Sequence, residues 1–239
     1  RYAYAWGHQN WHPHTAAECQ AVQHRVALFD QSSMPKFIVQ GRDALAVLNR
    51  LGTADVDVPP GQLVYTQWLN DRGGIEADLT VARLAEREFM VVSSVGSHRR
   101  DLAWLQHHIG ADEFCTAHDA TAGLALLGLM GPASRALLQD ASGEDFSSAA
   151  FPFGTTREIE IGYAIVRAAR ITYVGELGWE LYIPADQALH VFERLMAVGP
   201  RHGLKLAGFH AINACRTEKG YRHWGHDIGI EDTPLEAGL

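Results

Sequence analysis

Residues Tyr65–Val81, YTQWLNDRGGIEADLTV, read as strand, tight turn, strand. Tyr65, Gln67 and Leu69 alternate with Thr66, Trp68 and Asn70, the period of an extended chain. Asn70-Asp71-Arg72-Gly73-Gly74 supplies turn residues, with two glycines able to take positive φ. Ile75 to Val81 leaves the turn as a second extended run, so the stretch is a hairpin. One residue does not suit that setting. Asp78 stands between Ala77 and Leu79, and aspartate is depleted in strands. A carboxylate in a packed segment needs a partner or a purpose, because desolvating it is costly. Two readings are open from these residues: an edge carboxylate facing water, or a working one.

The flanks of the hairpin repeat a mixed pattern. Thr15-Ala16-Ala17-Glu18 resembles a capping box opening a helix to about Ala27. Lys36–Gln40 is a predicted strand, and Asp43 caps a helix over 44–51 closed by Gly52. Phe89–Val92 continues the meander, Arg99–Ile109 is amphipathic, and Ala122–Met130 is an apolar strand before a helix opened by Pro132. His98, His107 and His108 read as solvated surface. Strands at 157–161, 164–171 and 179–183 follow, then helices at 186–198 and 208–220. In the first of these helices, Leu189, Phe192, Leu195 and Met196 are expected to face inward. Strands and helices in this order predict an α+β fold of two subdomains with antiparallel sheets and packed helices. The polar, small-residue segment 141–148 predicts the boundary. This gives a linker over 1–14, one subdomain over 15–145 and a second over 146–239.

Two further stretches carry charges in expensive places. In ITYVGELGWELYIP, Gly175 and Gly178 turn the chain between strands, with Glu176 at the tip. Glu180 then stands among bulky strand formers. A carboxylate there suits two N–H bonds from a flat heterocycle with an amidine-like edge, such as a pterin or guanine; a strand Glu paired with an Arg is the plain alternative. In CRTEKGYRHWGHD, Arg216 lies on a helix where Ala214 and Cys215 are expected to look inward. It is either a solvated Arg or a guanidinium aimed at a ligand carboxylate or carbonyl. His223 to Asp227 has the look of a His/Asp relay, without a Ser or Cys nucleophile placed beside it.

Composition narrows the function. Of 239 residues, 47% are hydrophobic and 20% charged, which places the chain among globular proteins. A net charge of -8 disfavours nucleic acid and anionic membrane as partners. No apolar run of about 18 residues is present to span a bilayer. Cys19, Cys115 and Cys215 are odd in number and widely spaced, which predicts free thiols in a reducing compartment: cytoplasm, or the mitochondrial matrix in a eukaryote. The aromatic and His-rich residues 1–14 lack metal-site spacing, so a segment packing its aromatics on a neighbour is expected, and no metal ligand is assigned. No Gly-x-Gly-x-x-Gly follows a strand and no Walker loop occurs, so no nucleotide-phosphate site is expected.

Taken in order, YTQWLNDRGGIEADLTV, ITYVGELGWELYIP and CRTEKGYRHWGHDIGIEDTPLEAGL, with LFDQSSMPKFIVQG and LLGLMGPASRALL, are similar to the folate-binding motifs of the glycine-cleavage T-protein (aminomethyltransferase) superfamily. The similarity runs from residue 15 to 239. Its wording is nearest to the C-terminal folate domain of dimethylglycine and sarcosine dehydrogenases. The resemblance implies a T-protein-like cloverleaf lacking its C-terminal β-barrel here, with an FAD domain preceding Arg1 as a covalently linked partner. It implies tetrahydrofolate as the cofactor bound by this chain. Carried over residue by residue, Asp78 matches the catalytic aspartate, Tyr65 a tyrosine of the folate pocket, Tyr173 and Glu180 the pterin contacts, and Arg216 an arginine near the folate. Where the family often has a tyrosine four residues after the aspartate, this chain has Ala82, so part of that pocket wall is made differently. The implied activity is capture of the one-carbon unit released by N-methyl amine oxidation as 5,10-methylenetetrahydrofolate. T-protein transfer, a tetrahydrofolate-dependent demethylase and a non-catalytic folate-binding module are the alternatives.

Overall fold

The computed structural model describes residues 1–239. The helices are α1 (His12–His24), α2 (Ala44–Leu51), α3 (His98–His107), α4 (Ser134–Ser142), α5 (Ala188–Val198) and α6 (Phe209–Glu218). The strands are β1 (Val26–Asp30), β2 (Lys36–Gln40), β3 (Leu63–Leu69), β4 (Ile75–Ala85), β5 (Glu88–Val92) and β6 (Thr116–Asp119). They continue with β7 (Leu124–Met130), β8 (Thr156–Ile161), β9 (Ala164–Ala169), β10 (Gly178–Pro184) and β11 (Leu204–Ala207). They make two mixed α and β units, as the α+β reading expects. None of the helices is long and apolar enough to cross a membrane.

The first unit holds residues 1–31, 126–153 and 158–221 around a six-stranded sheet ordered β11-β1-β7-β10-β9-β8. In it β1 pairs antiparallel with β7 and β10 with β9, but β1 and β11 run parallel, with Val26 opposite Leu204. Ala27, Phe29 and Met130 of the sheet pack under Val22 of α1 and Ala211, Ile212 and Cys215 of α6. The second unit holds residues 32–125, 154–157 and 222–239 around the five-stranded antiparallel sheet β3-β4-β5-β2-β6. One face of that sheet, with Phe37, Val39, Trp68, Leu79, Val81, Phe89 and Val91, packs against α2 and α3 through Val47, Leu48 and Leu105. α2, α4 and α5 form because their apolar residues recur at helical spacing and the sheets need a cover.

Several expectations are corrected. The cut near residue 145 does not describe the units, because β1 pairs with β7 and β11 and so draws residues 26–30 in with 204–207. Residues 1–11 belong to the first unit: Asn10 ties back to Ala3 and Arg1, and Trp11 stacks on His210 at 5.8 Å. α1 opens at His12 with Pro13 in its first turn, so Thr15 lies inside the helix, and Glu18 accepts the Gly208 N–H instead of capping. Leu189 is exposed, while Val191, Leu195 and Val198 form the inner face of α5. Ala214 is exposed beside buried Cys215. His98 is not merely solvated: its Nε2 is 2.8 Å from Asp119 and its ring packs on Phe37. Only Gly73 of the hairpin glycines has positive φ, at 82°. Gly74 is required for a different reason: a Cβ there would stand 1.9 Å from the Ile230 carbonyl oxygen.

Candidate functional site

The second unit positions Asp78 and Tyr65. In the β3–β4 register, Tyr65 faces Thr80, Gln67 faces Asp78 and Trp68 faces Ala77. Strand alternation sends Ala77, Leu79 and Val81 into the helix-covered core and puts Tyr65, Gln67, Asp78 and Thr80 on the opposite face. Asp78 is therefore not an edge residue, because β4 has β3 on one side and β5 on the other. Its carboxyl is part-buried, and Gln67 Nε2 donates to its Oδ1 at 3.0 Å. Burial raises its proton affinity above that of an ordinary aspartate, while hydrogen bonds from Gln67 and Tyr65 pull it back. The Tyr65 side chain is 49% exposed, so its ring is open on the face that carries the carboxyl.

The first unit positions Glu180, Tyr173 and Arg216. Glu180 is 8% exposed on β10 and accepts the Tyr182 hydroxyl at 2.6 Å. A Cβ on Gly178, two residues earlier on the same face, would stand 3.0 Å from Met130. Glu180 thus shares the sheet face under α1 and α6. Tyr182 is itself buried, and burial and then the Glu180 charge push its phenol well above the usual tyrosine range. Arg216 is 4% exposed, which removes the solvated-surface reading. Asn213 Oδ1 accepts from its Nε at 2.9 Å and from one terminal nitrogen at 2.6 Å, and the Tyr221 carbonyl accepts from the other at 3.0 Å. The Tyr221 ring stacks on Tyr173 with centroids 6.2 Å apart, so Tyr173 and Arg216 are joined through one residue. Glu176 pairs with Lys219 at 2.9 Å, across Gly175, where a Cβ would strike the lysine stem.

Two other sequence features are structural. Asp227 accepts the His223 backbone N–H and so closes the local turn, and Trp224 Nε1 donates to the Ile75 carbonyl at 2.7 Å, which ties this segment to β4. Burial and the nearby Cys19 thiol push Cys215 up to about 12, so this thiol stays protonated. Sequence reasoning missed Gln67, Tyr182, Asn213 and Tyr221. The first two were available as the i, i+2 neighbours of Tyr65 and Glu180. It also missed Asp101, which is 1% exposed and receives the hydroxyls of Ser93 and Ser97, because an acid on a helix reads as solvated.

The GCVT N-terminal domain family matches residues 1–239. The chain belongs to that family. It is 44% identical over its whole length to 4-methylaminobutanoate oxidase (formaldehyde-forming) of Paenarthrobacter nicotinovorans, of which it spans 29%. It is 44% identical over 93% of its length to mitochondrial sarcosine dehydrogenase of Mus musculus, of which it spans 26%. The chain therefore covers under a third of each of these relatives. Among solved structures, glycine cleavage system aminomethyltransferase T from Bartonella henselae superposes with a TM-score of 0.83 at 28% identity, covering 98% of this chain and 63% of that one.

Proposed function

We propose that this chain is a tetrahydrofolate-binding, aminomethyltransferase-like domain. In this reading it captures the iminium or formaldehyde released by N-methyl amine oxidation to give 5,10-methylenetetrahydrofolate. The observation that carries the reading is Asp78: a carboxyl of raised proton affinity held by Gln67 and Tyr65 on the sheet face opposite the core. Support comes from the chain's family and from a relative named as a formaldehyde-forming oxidase.

The residues fit the ligand. A desolvated carboxylate such as Glu180 is the group that recognises an amidine-like edge, and Tyr182 fixes its rotamer. Tyr173 offers a half-buried ring on the same unit for packing against a flat heterocycle, and Arg216 a rigidly held cation. When bound, tetrahydrofolate supplies the amine nitrogen that takes up the one-carbon unit. Asp78 receives the proton that nitrogen loses, and its negative form favours positive charge developing nearby. Tyr65 and Gln67 hold that carboxyl in place, which is the positioning such chemistry needs. Oxidation is not assigned to this chain, whose residues offer no dinucleotide loop; FAD is assigned to another domain of the same polypeptide.

The test is a tetrahydrofolate titration of wild type, Glu180→Gln and Asp78→Asn. Loss of a charge-assisted bond, about 1.5–3 kcal/mol, weakens the Glu180 variant roughly ten- to hundred-fold. Wild type that does not bind tetrahydrofolate refutes the reading.

A further inference from the structure

We propose that Gln67 is a positioning residue for the proton chemistry at Asp78: it holds Oδ1 as an acceptor, so that the proton moves on and off Oδ2. This rests on the folate reading of Asp78 above. Gln67 is 5% exposed, and a buried amide must satisfy both of its ends. Its Oε1 accepts the Thr53 hydroxyl at 3.2 Å, which leaves the nitrogen to face Asp78 at 3.0 Å. Thr53 is itself held. Its Oγ1 accepts the Gln67 backbone N–H at 3.2 Å, and its own backbone N–H donates to the Gln67 carbonyl. Thr66 Oγ1 lies 3.3 Å from the Thr53 hydroxyl and accepts the Ala54 N–H. In this network the amide oxygen is taken up by Thr53, and the amide nitrogen presents a donor to Asp78.

A donor that cannot accept has one effect on a carboxyl: it keeps the oxygen it touches unprotonated. The proton that the acceptor amine gives up then forms its O–H bond at Oδ2, the N–H bond breaks, and no electrons change hands. Ionisable groups of the same unit near this region include Tyr65, Glu76 with its partner Arg100, and Lys36. Tyr65 bonds Asp78 itself, Glu76 is held by Asn70 and lies 3.6 Å from Arg100, and buried Lys36 donates to the Ser32 carbonyl two strands away. Gln67, which does not ionise, is the group whose amide nitrogen contacts Oδ1.

The experiment follows the Asp78 carboxyl by carbon-13 NMR across pH in this chain without folate, then measures folate affinity and one-carbon transfer. Gln67→Met keeps length and removes the donor; Thr53→Val leaves Gln67 in place but frees its amide to turn. The expected result is an Asp78 midpoint moved upward in Gln67→Met and, less far, in Thr53→Val. With it come tetrahydrofolate affinity within two-fold of wild type and transfer at saturating folate roughly ten-fold slower, the scale of lost outer-contact support. If Gln67→Met does not fold, Thr53→Val carries the test. An unmoved midpoint in a folded variant that binds folate overturns the role of Gln67 alone. Wild type that binds no tetrahydrofolate overturns the folate reading and the catalytic part of this proposal with it.

Discussion

Asp78 is held where its charged form is disfavoured, and this has a consequence for stability. Burial raises its proton affinity above that of the unfolded chain. The folded state then binds the proton more tightly, so this group's contribution to stability is complete below the unfolded value of about 3.9. It is lost as pH rises through the higher folded midpoint. Asp78→Asn is therefore expected to melt higher than wild type at pH 7.5, with the gap closing towards pH 4 in a series of thermal melts, while one-carbon transfer falls about 10²- to 10⁴-fold. A lower melting temperature at pH 7.5 would count against a function-driven strain at this site. Tyr182→Phe, which removes the hydroxyl on Glu180, is expected to weaken tetrahydrofolate binding about five- to twelve-fold, the worth of a bond of about 1–1.5 kcal/mol. Asp78 and Glu180 were legible because a lone carboxylate among strand formers is expensive. The burial of Arg216 was not legible, because nothing in CRTEKG separates a helix face turned inward from one turned to water.

Among the elements, the β3–β4 hairpin was the most readable, since its alternation and turn residues are local. What the sequence could not show is why its second glycine is there. Gly74 serves the close passage of residue 230, which lies far along the chain, and Ile75 N–H donates to the Asp232 carbonyl beside it. Gly74→Ala is expected to cost about 1–3 kcal/mol in denaturant unfolding through overpacking. It should also shift Trp224 fluorescence, because the Trp224–Ile75 bond lies in the displaced segment. Stability and fluorescence equal to wild type would contradict that packing. The β11 strand escaped sequence reading for a similar reason: four residues with a parallel partner 178 positions away carry little periodicity of their own.

At the scale of the whole chain, the order of elements gave the α+β class, but not the way the chain is shared out. Each unit is assembled from separate segments, and one sheet uses strands from both sides of residue 145. Fragments 1–145 and 146–239 are accordingly expected to lack cooperative thermal unfolding when made alone, since each leaves β1, β7 or β10 without a neighbour. A sharp calorimetric transition in either fragment would contradict this division. The central claim is that the two sets of side chains do different work, and one measurement separates them: one-carbon transfer to tetrahydrofolate at saturating folate. Glu180→Gln is predicted to approach the wild-type rate once folate is raised, because it loses affinity alone, whereas Asp78→Asn stays slow at every folate concentration. An Asp78→Asn chain that reaches the wild-type rate would contradict the account.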